Sequence, residues 1–115
     1  MTESRRKSPR VAAQGACTIR DPEGGEHAFE LVDLSECGAR LRCEIPIGAM
    51  TRIHVSMLLP GDRVGQDDDA RLETMGVIVW SHRVEEGVND IGVFFPELDD
   101  TGAAMLHAYV LSSAA

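Results

Sequence analysis

The stretch Gly38-Ala39-Arg40-Leu41-Arg42-Cys43-Glu44-Ile45 sets Ala39, Leu41, Cys43 and Ile45 on one side of a two-residue repeat and Arg40, Arg42 and Glu44 on the other. Successive side chains of a strand point to opposite faces, so this is the pattern of an antiparallel strand with one face in a core and one in water. Downstream, residues 51–59 repeat it, with Ile53, Val55, Met57 and Leu59 against Arg52, His54 and Ser56. Residues 11–20, 27–33, 71–82 and 90–95 supply four further strand candidates, the last two rich in the β-branched and aromatic types that suit a pleated surface.

Between these segments lie Asp21-Pro22-Glu23-Gly24-Gly25, Pro46-Ile47-Gly48, Pro60-Gly61-Asp62 and Glu85-Glu86-Gly87, all with the residue types of turns. Six short strands thus follow one another with no helix between them. One helix is expected at the end, capped by Asp99 or Asp100, with Met105, Leu106, Tyr109 and Val110 on one stripe. Consecutive antiparallel strands with one amphipathic helix predict a six-stranded barrel, a closure that removes exposed edges, with the helix across an open end. Trp80, which follows Val77-Ile78-Val79, is expected in the core.

A chain of 115 residues, 43% hydrophobic and 26% charged, fits one globular domain. No apolar run approaches the roughly 20 residues of a membrane span, and residues 1–10 lack the apolar segment of a secretory signal, so the expected location is the cytoplasm, without membrane insertion. Cys17, Cys37 and Cys43 are odd in number and show no Cys-x-x-Cys spacing, which predicts reduced, mostly buried thiols. The four histidines are scattered without ligand spacing, the run Asp67-Asp68-Asp69 lacks the ordered ligand series of a calcium loop, and Ser35 lacks the G-x-S-x-G setting of a hydrolase nucleophile. No metal, no cofactor and no catalytic group is therefore expected. The formal charge of −8 argues against a DNA or RNA binder, as does an aromatic content of 4%. It is unevenly distributed: Arg5, Arg6, Lys7 and Arg10 against Glu3 give residues 1–10 a net +3, leaving −11 for residues 11–115. A basic arm precedes an acidic strand-rich body.

Two short patterns carry chemistry. Arg6-Lys7-Ser8-Pro9-Arg10 has the form R-x-x-x-R, and Asp33-Leu34-Ser35-Glu36-Cys37-Gly38 the form D-x-S-x-x-G. Taken singly, the first reads as a solvated basic tail and the second as an Asx-type turn between strands. Together, with Pro46 to Gly48, Val77-Ile78-Val79-Trp80, Ile91-Gly92-Val93-Phe94 and the closing helix, they resemble the PilZ family across nearly the whole chain. The resemblance implies a PilZ-type barrel that binds cyclic di-GMP by wrapping the arginines around it against the D-x-S-x-x-G turn. On that reading Arg6, Arg10, Asp33, Ser35 and Gly38 are the site residues, and Arg5, just before the first motif arginine, favours a stacked pair of ligands.

The residue types suit such a ligand. A guanidinium can fork onto guanine N7 and O6, pair with phosphate or stack on a purine, and a carboxylate at Asp33 can accept from a guanine's N1–H and N2–H₂. Ser35 offers a hydroxyl, and Gly38 permits close backbone approach or a positive φ. Pro9 disfavours helical dihedrals at Ser8, so in an extended arm Arg6 and Arg10 stand roughly 13 Å apart. Asp33, Arg6 and Arg10 are all expected on the surface. With no output domain in the sequence, the signal is expected to pass to another protein. A PilZ-like protein adaptor without nucleotide binding is the alternative.

Overall fold

The computed structural model describes residues 11–12 and 16–114. In chain order the elements are β1 (Val11–Ala12), β2 (Ala16–Arg20), β3 (Glu26–Leu34), β4 (Gly38–Cys43), β5 (Arg52–Leu59), α1 (Gly61–Val64), β6 (Ala70–Glu85), β7 (Val88–Phe94) and α2 (Asp100–Ala114). All strand pairings are antiparallel, in the order β1-β3-β2-β5-β6-β7-β4, and a further β3–β4 pairing returns the sheet on itself. β2 to β7 therefore close a six-stranded barrel, while β1 is a two-residue strand added beside the end of β3.

The two-residue repeat is what closes it. On β5, Ile53, Val55, Met57 and Leu59 are all at most 1% exposed, and on β4 Ala39, Leu41 and Cys43 turn inward while Arg40 and Arg42 turn out. Burying one branched aliphatic side chain stabilises the fold by roughly 1.5–3 kcal/mol, and the core collects thirteen among its buried residues. Burial pushes the Cys17 thiol up to about 12 and raises that of Cys43, so both stay protonated and inert; Cys37 is exposed.

Three irregularities break the sheet register, one in β3 and two in β6, of which the one between Arg83 and Glu85 lies in an exposed stretch. A shift in β3 between Leu31 and Asp33 leaves Leu31 and Leu34 in the core and turns Asp33 out beside Arg40. A second, in β6 between Ile78 and Trp80, keeps Ile78 inside and turns Trp80 out over Gly92. Trp80 is accordingly half-buried on the outer face and not in the core, contrary to the expectation from its apolar neighbours. An uninterrupted repeat would have carried both residues inward.

Of residues 11–20, expected as one strand, Val11–Ala12 and Ala16–Arg20 are strand and residues 13–15 lie outside the described residues. One boundary differs: Pro60-Gly61-Asp62, expected as a turn, opens the four-residue helix α1. The expected helix forms as α2. Asp99 caps it, its Oδ1 accepting from Gly102 N–H at 2.7 Å and its carbonyl from Ala103 N–H at 2.9 Å. Met105, Leu106, Tyr109 and Val110 are buried, and α2 lies over the end of the barrel where β6 begins, against α1, β1 and β6.

Candidate functional site

Leu34 ends β3, Gly38 begins β4, and Ser35-Glu36-Cys37 make the bend between them at the end that α2 covers. The bend is held from four directions. Ser35 N–H donates to the Gly38 carbonyl at 2.9 Å, and Phe95 N–H, just past β7, donates to the Cys37 carbonyl at 2.9 Å. Within the bend the Ser35 hydroxyl accepts from Cys37 N–H and donates to the Gly38 carbonyl, both long at 3.4 Å. Outside it, His107 of α2 lies 3.2 Å from a Glu36 carboxylate oxygen. Ser35 is only 6% exposed, so its hydroxyl shapes the turn before it can meet anything else.

Gly38 is required by close approach. A Cβ at this position would stand 2.3 Å from the Val93 carbonyl oxygen, a distance no side chain tolerates, while its φ is not in the left-handed region. Asp33 is half-buried rather than freely exposed. It belongs to a row that crosses the outer face: Ala12 and Arg40 flank it in register, Arg40 pairs with Gly92, and Gly92 with Trp80. Gly92 has no side chain, and the Trp80 indole occupies that space: a Cβ there would lie 2.2 Å from Nε1. The next row runs Gly38, Phe94, Val77, Arg52, with Phe94 44% exposed. The two rows form a shelf of carboxylate, guanidinium and aromatic surface beside the turn.

Arg40 is held in place by Asp90. Its Nε and Nη2 donate to Asp90 Oδ2 at 2.9 and 2.6 Å, and Arg42 donates Nε to Oδ1 at 2.8 Å and Nη2 to Oδ2 at 3.2 Å. The two guanidiniums shield Asp90 completely from solvent. Hydrogen bonds from Arg42 and then Arg40 outweigh the opposing effect of burial and hold the Asp90 carboxyl below its ordinary range, so it is charged at neutral pH. Nε and one Nη2 hydrogen of Arg40 serve Asp90, which leaves the Nη1 side of the fork for another acceptor.

Of the residues singled out in the sequence, Asp33, Ser35 and Gly38 meet at one turn, whereas Arg5, Arg6 and Arg10 lie outside the described residues. Arg40, Asp90 and Trp80 are additions made by the fold. Arg40 and Arg42 were legible as an outward-facing pair, but their partner lies 48–50 residues away and only the β4–β7 register brings it to them. Among the described residues no group of three His, Cys, Asp or Glu side chains could hold a metal ion, and no helix is long and apolar enough to cross a membrane.

Comparison with known proteins agrees with this architecture. The inhibitor of motility MotI/DgrA of Bacillus subtilis superposes with a TM-score of 0.76 at 15% identity, over 93% of this chain and 50% of that one. The PilZ domain of YcgR from Escherichia coli, solved with c-di-GMP, gives 0.72 at 16% identity over 96% and 92%. PlzA of Borreliella burgdorferi, in complex with c-di-GMP, gives 0.65 at 15% identity over 94% and 42%. The chain thus spans half or less of the length of MotI/DgrA and PlzA. No curated protein sequence matches it. The family model for the PilZ domain runs from residue 4 to residue 112, through every strand of the barrel and nearly all of α2, and by that match the chain belongs to the PilZ domain family.

Proposed function

We propose that this chain is a receptor for cyclic di-GMP, held between the basic N-terminal arm and the outer shelf at the D-x-S-x-x-G turn, and that it acts by binding, with no catalytic step. The observation that carries this reading is the register of β1: Val11 pairs with Leu34 and Ala12 with Asp33. Arg10 is therefore one peptide, about 3.8 Å between Cα atoms, from a residue seated beside Asp33 and Ser35. Arg6, five residues from Val11, is tethered within roughly 17 Å of the same point. The two sequence patterns are thus tied to one end of one strand pair. Two of the PilZ structures resembling this fold were solved with c-di-GMP, which supports the same ligand here.

In this arrangement Asp33 accepts from a guanine Watson–Crick edge, Arg6 and Arg10 take phosphate or the N7/O6 edge, and Gly38 keeps the turn low enough for the ligand to lie close. The free side of Arg40, one strand away, and the Trp80 indole, lying over Gly92 two strands away, offer flat surface. Arg5 adds a cation suited to a stacked pair, which carries four phosphate charges' worth of repulsion, so two ligands per chain are proposed. Ordering of the arm over the ligand creates a composite surface for a partner protein in the cytoplasm.

Calorimetric titration of cyclic di-GMP into the wild type and into Arg6→Ala, Arg10→Ala and Asp33→Ala tests this. Each lost charge-assisted bond costs about 1.5–3 kcal/mol, roughly ten- to a hundredfold in affinity. A wild type that takes up no ligand at about 100 μM, a concentration that would nearly saturate a site of about 1 μM Kd, would leave the non-binding adaptor reading in its place. A stoichiometry of one would remove the stacked pair alone.

A further inference from the structure

The other end of the barrel carries a gap in its hydrogen bonding. Glu26 to Phe29 of β3 pair with β2 on one side, but on the other side β4 first meets β3 at Glu30, opposite Arg42. β4 stops at Cys43, opposite Asn89, and the chain departs through Glu44 and Ile45. Among the described residues no strand pairs with this four-residue edge of β3. In an antiparallel ladder alternate residues direct both N–H and C=O to the same side, so two of these four residues aim their backbone groups away from β2. They face an open groove of about 670 Å³ whose far wall is the end of β4 and the tip of the β6–β7 hairpin, including Ile45, Glu85 and Val88.

We propose that this groove is a docking edge for an extended basic segment of a partner protein, which adds to β3 as a further strand. The inference goes beyond the ligand reading and does not depend on it, because the open edge lies five to eight residues along β3 from Leu34, roughly 16–26 Å from the turn at about 3.3 Å per residue. The bare backbone supplies the pairing, and the rim supplies the sign of the charge. Glu26, Ala28 and Glu30 are exposed along the outer face of the open edge, and Glu44 and Glu85 stand across the groove. Arg42, also in the lining, is bound to Asp90, and Arg20 of β2 donates to Glu26 at 2.8 Å, an exposed pair that an incoming cation would share. An added strand with cations at alternate positions would set them opposite Glu26 and Glu30, with the small Ala28 between leaving space for their stems, while its intervening aliphatic side chains face Ile45 and Val88.

The same rim disfavours a second copy as the occupant. A second copy pairing edge to edge would set Glu against Glu, the kind of charge that keeps open edges from self-association.

The probe is the peptide acetyl-Lys-Val-Lys-Val-Lys-Val-amide, titrated into the ¹⁵N-labelled full chain. The expected result is shift changes concentrated at residues 26–30 and 42–45, with slowed amide exchange within His27 to Phe29. An analogue N-methylated at its three valines keeps the charge but cannot pair as a strand, and is expected to bind at least tenfold more weakly. The Glu26→Gln/Glu30→Gln variant should lose about tenfold, and Asp68→Asn/Asp69→Asn, on a remote acidic loop, nothing. Diffuse or absent shifts, equal binding of the methylated peptide, or an equal loss from the remote pair would overturn the proposal. So would a tenfold gain in peptide affinity on neutralising Arg5, Arg6, Lys7 and Arg10, which would make the arm the occupant, or a dimer in sedimentation that Glu26→Gln/Glu30→Gln strengthens.

Discussion

Asp90 shows how one side chain can organise a site without belonging to it. With both arginines about one-third exposed, its replacement by Asn removes charge-assisted bonds that solvent partly restores, so Asp90→Asn is expected to lose about 2 kcal/mol at neutral pH. The pH dependence follows from the direction of its shift. Its folded-state carboxyl titrates below the unfolded value of about 4, so its contribution is fully present above that value and is lost as pH falls through the lower, folded one. Urea midpoints of wild type and Asp90→Asn should therefore differ by a constant amount from pH 5 to 8 and converge below about pH 4. Asp21, also held low by His27 and two backbone N–H groups, is common to both proteins and cancels in the difference. A gap as wide at pH 3 as at pH 7 would show that Asp90 acts through packing alone. Residues of this kind are invisible in sequence. Asp33, Ser35 and Gly38 could be read from their spacing, but Asp90 sits between Asn89 and Ile91 with no local sign that two arginines will cover it.

The elements were legible wherever the two-residue repeat ran unbroken. β4 and β5 follow it throughout, and their inward faces are the ones the pattern assigns. The failures lie at the Leu31/Asp33 irregularity in β3 and the Ile78/Trp80 irregularity in β6, where one extra residue reverses the faces, and these are the places that bring Asp33 and Trp80 onto the shelf. α1 escaped for another reason. Four residues are too few for helical periodicity, and tertiary contacts hold it: the Arg63 guanidinium lies 4.2 Å from the Tyr109 ring centroid and its Nε donates to Ser112 Oγ at 2.8 Å. α2, by contrast, announced both its stripe and its cap. The cap predicts that Asp99→Ala costs about 1 kcal/mol and that Asp99→Asn, which keeps an acceptor for Gly102 N–H, costs a few tenths. Equal losses from the two, measured by thermal unfolding, would mean that the charge at the helix start matters and the hydrogen bond does not.

For the whole molecule the deciding feature is that its charge is segregated. Over the turn and the shelf Arg40, Arg42 and Arg52 balance Asp33, Glu36 and Asp90, so the site has no net attraction for an anionic nucleotide, and the body around it carries −11. Only the arm, at +3, supplies attraction. Salt then acts in two opposed directions: it screens the arm's pull and weakens binding, and it screens the body's repulsion and strengthens it. Distance decides between them. Arm cations are tethered within contact range of the turn, whereas most body carboxylates lie beyond the Debye length of about 10 Å at 0.1 M and are already screened. Cyclic di-GMP affinity should therefore fall as sodium chloride rises from 50 to 500 mM. Replacing Arg5, Arg6, Lys7 and Arg10 together by glutamine should lower affinity at least a hundredfold and leave residual binding flat or rising with salt, since only the repulsion remains to be screened. Calorimetry at four salt concentrations on both proteins measures this. A quadruple variant that keeps the wild-type falling slope would place the attraction on the barrel itself, and the arm would then have no part in holding the ligand.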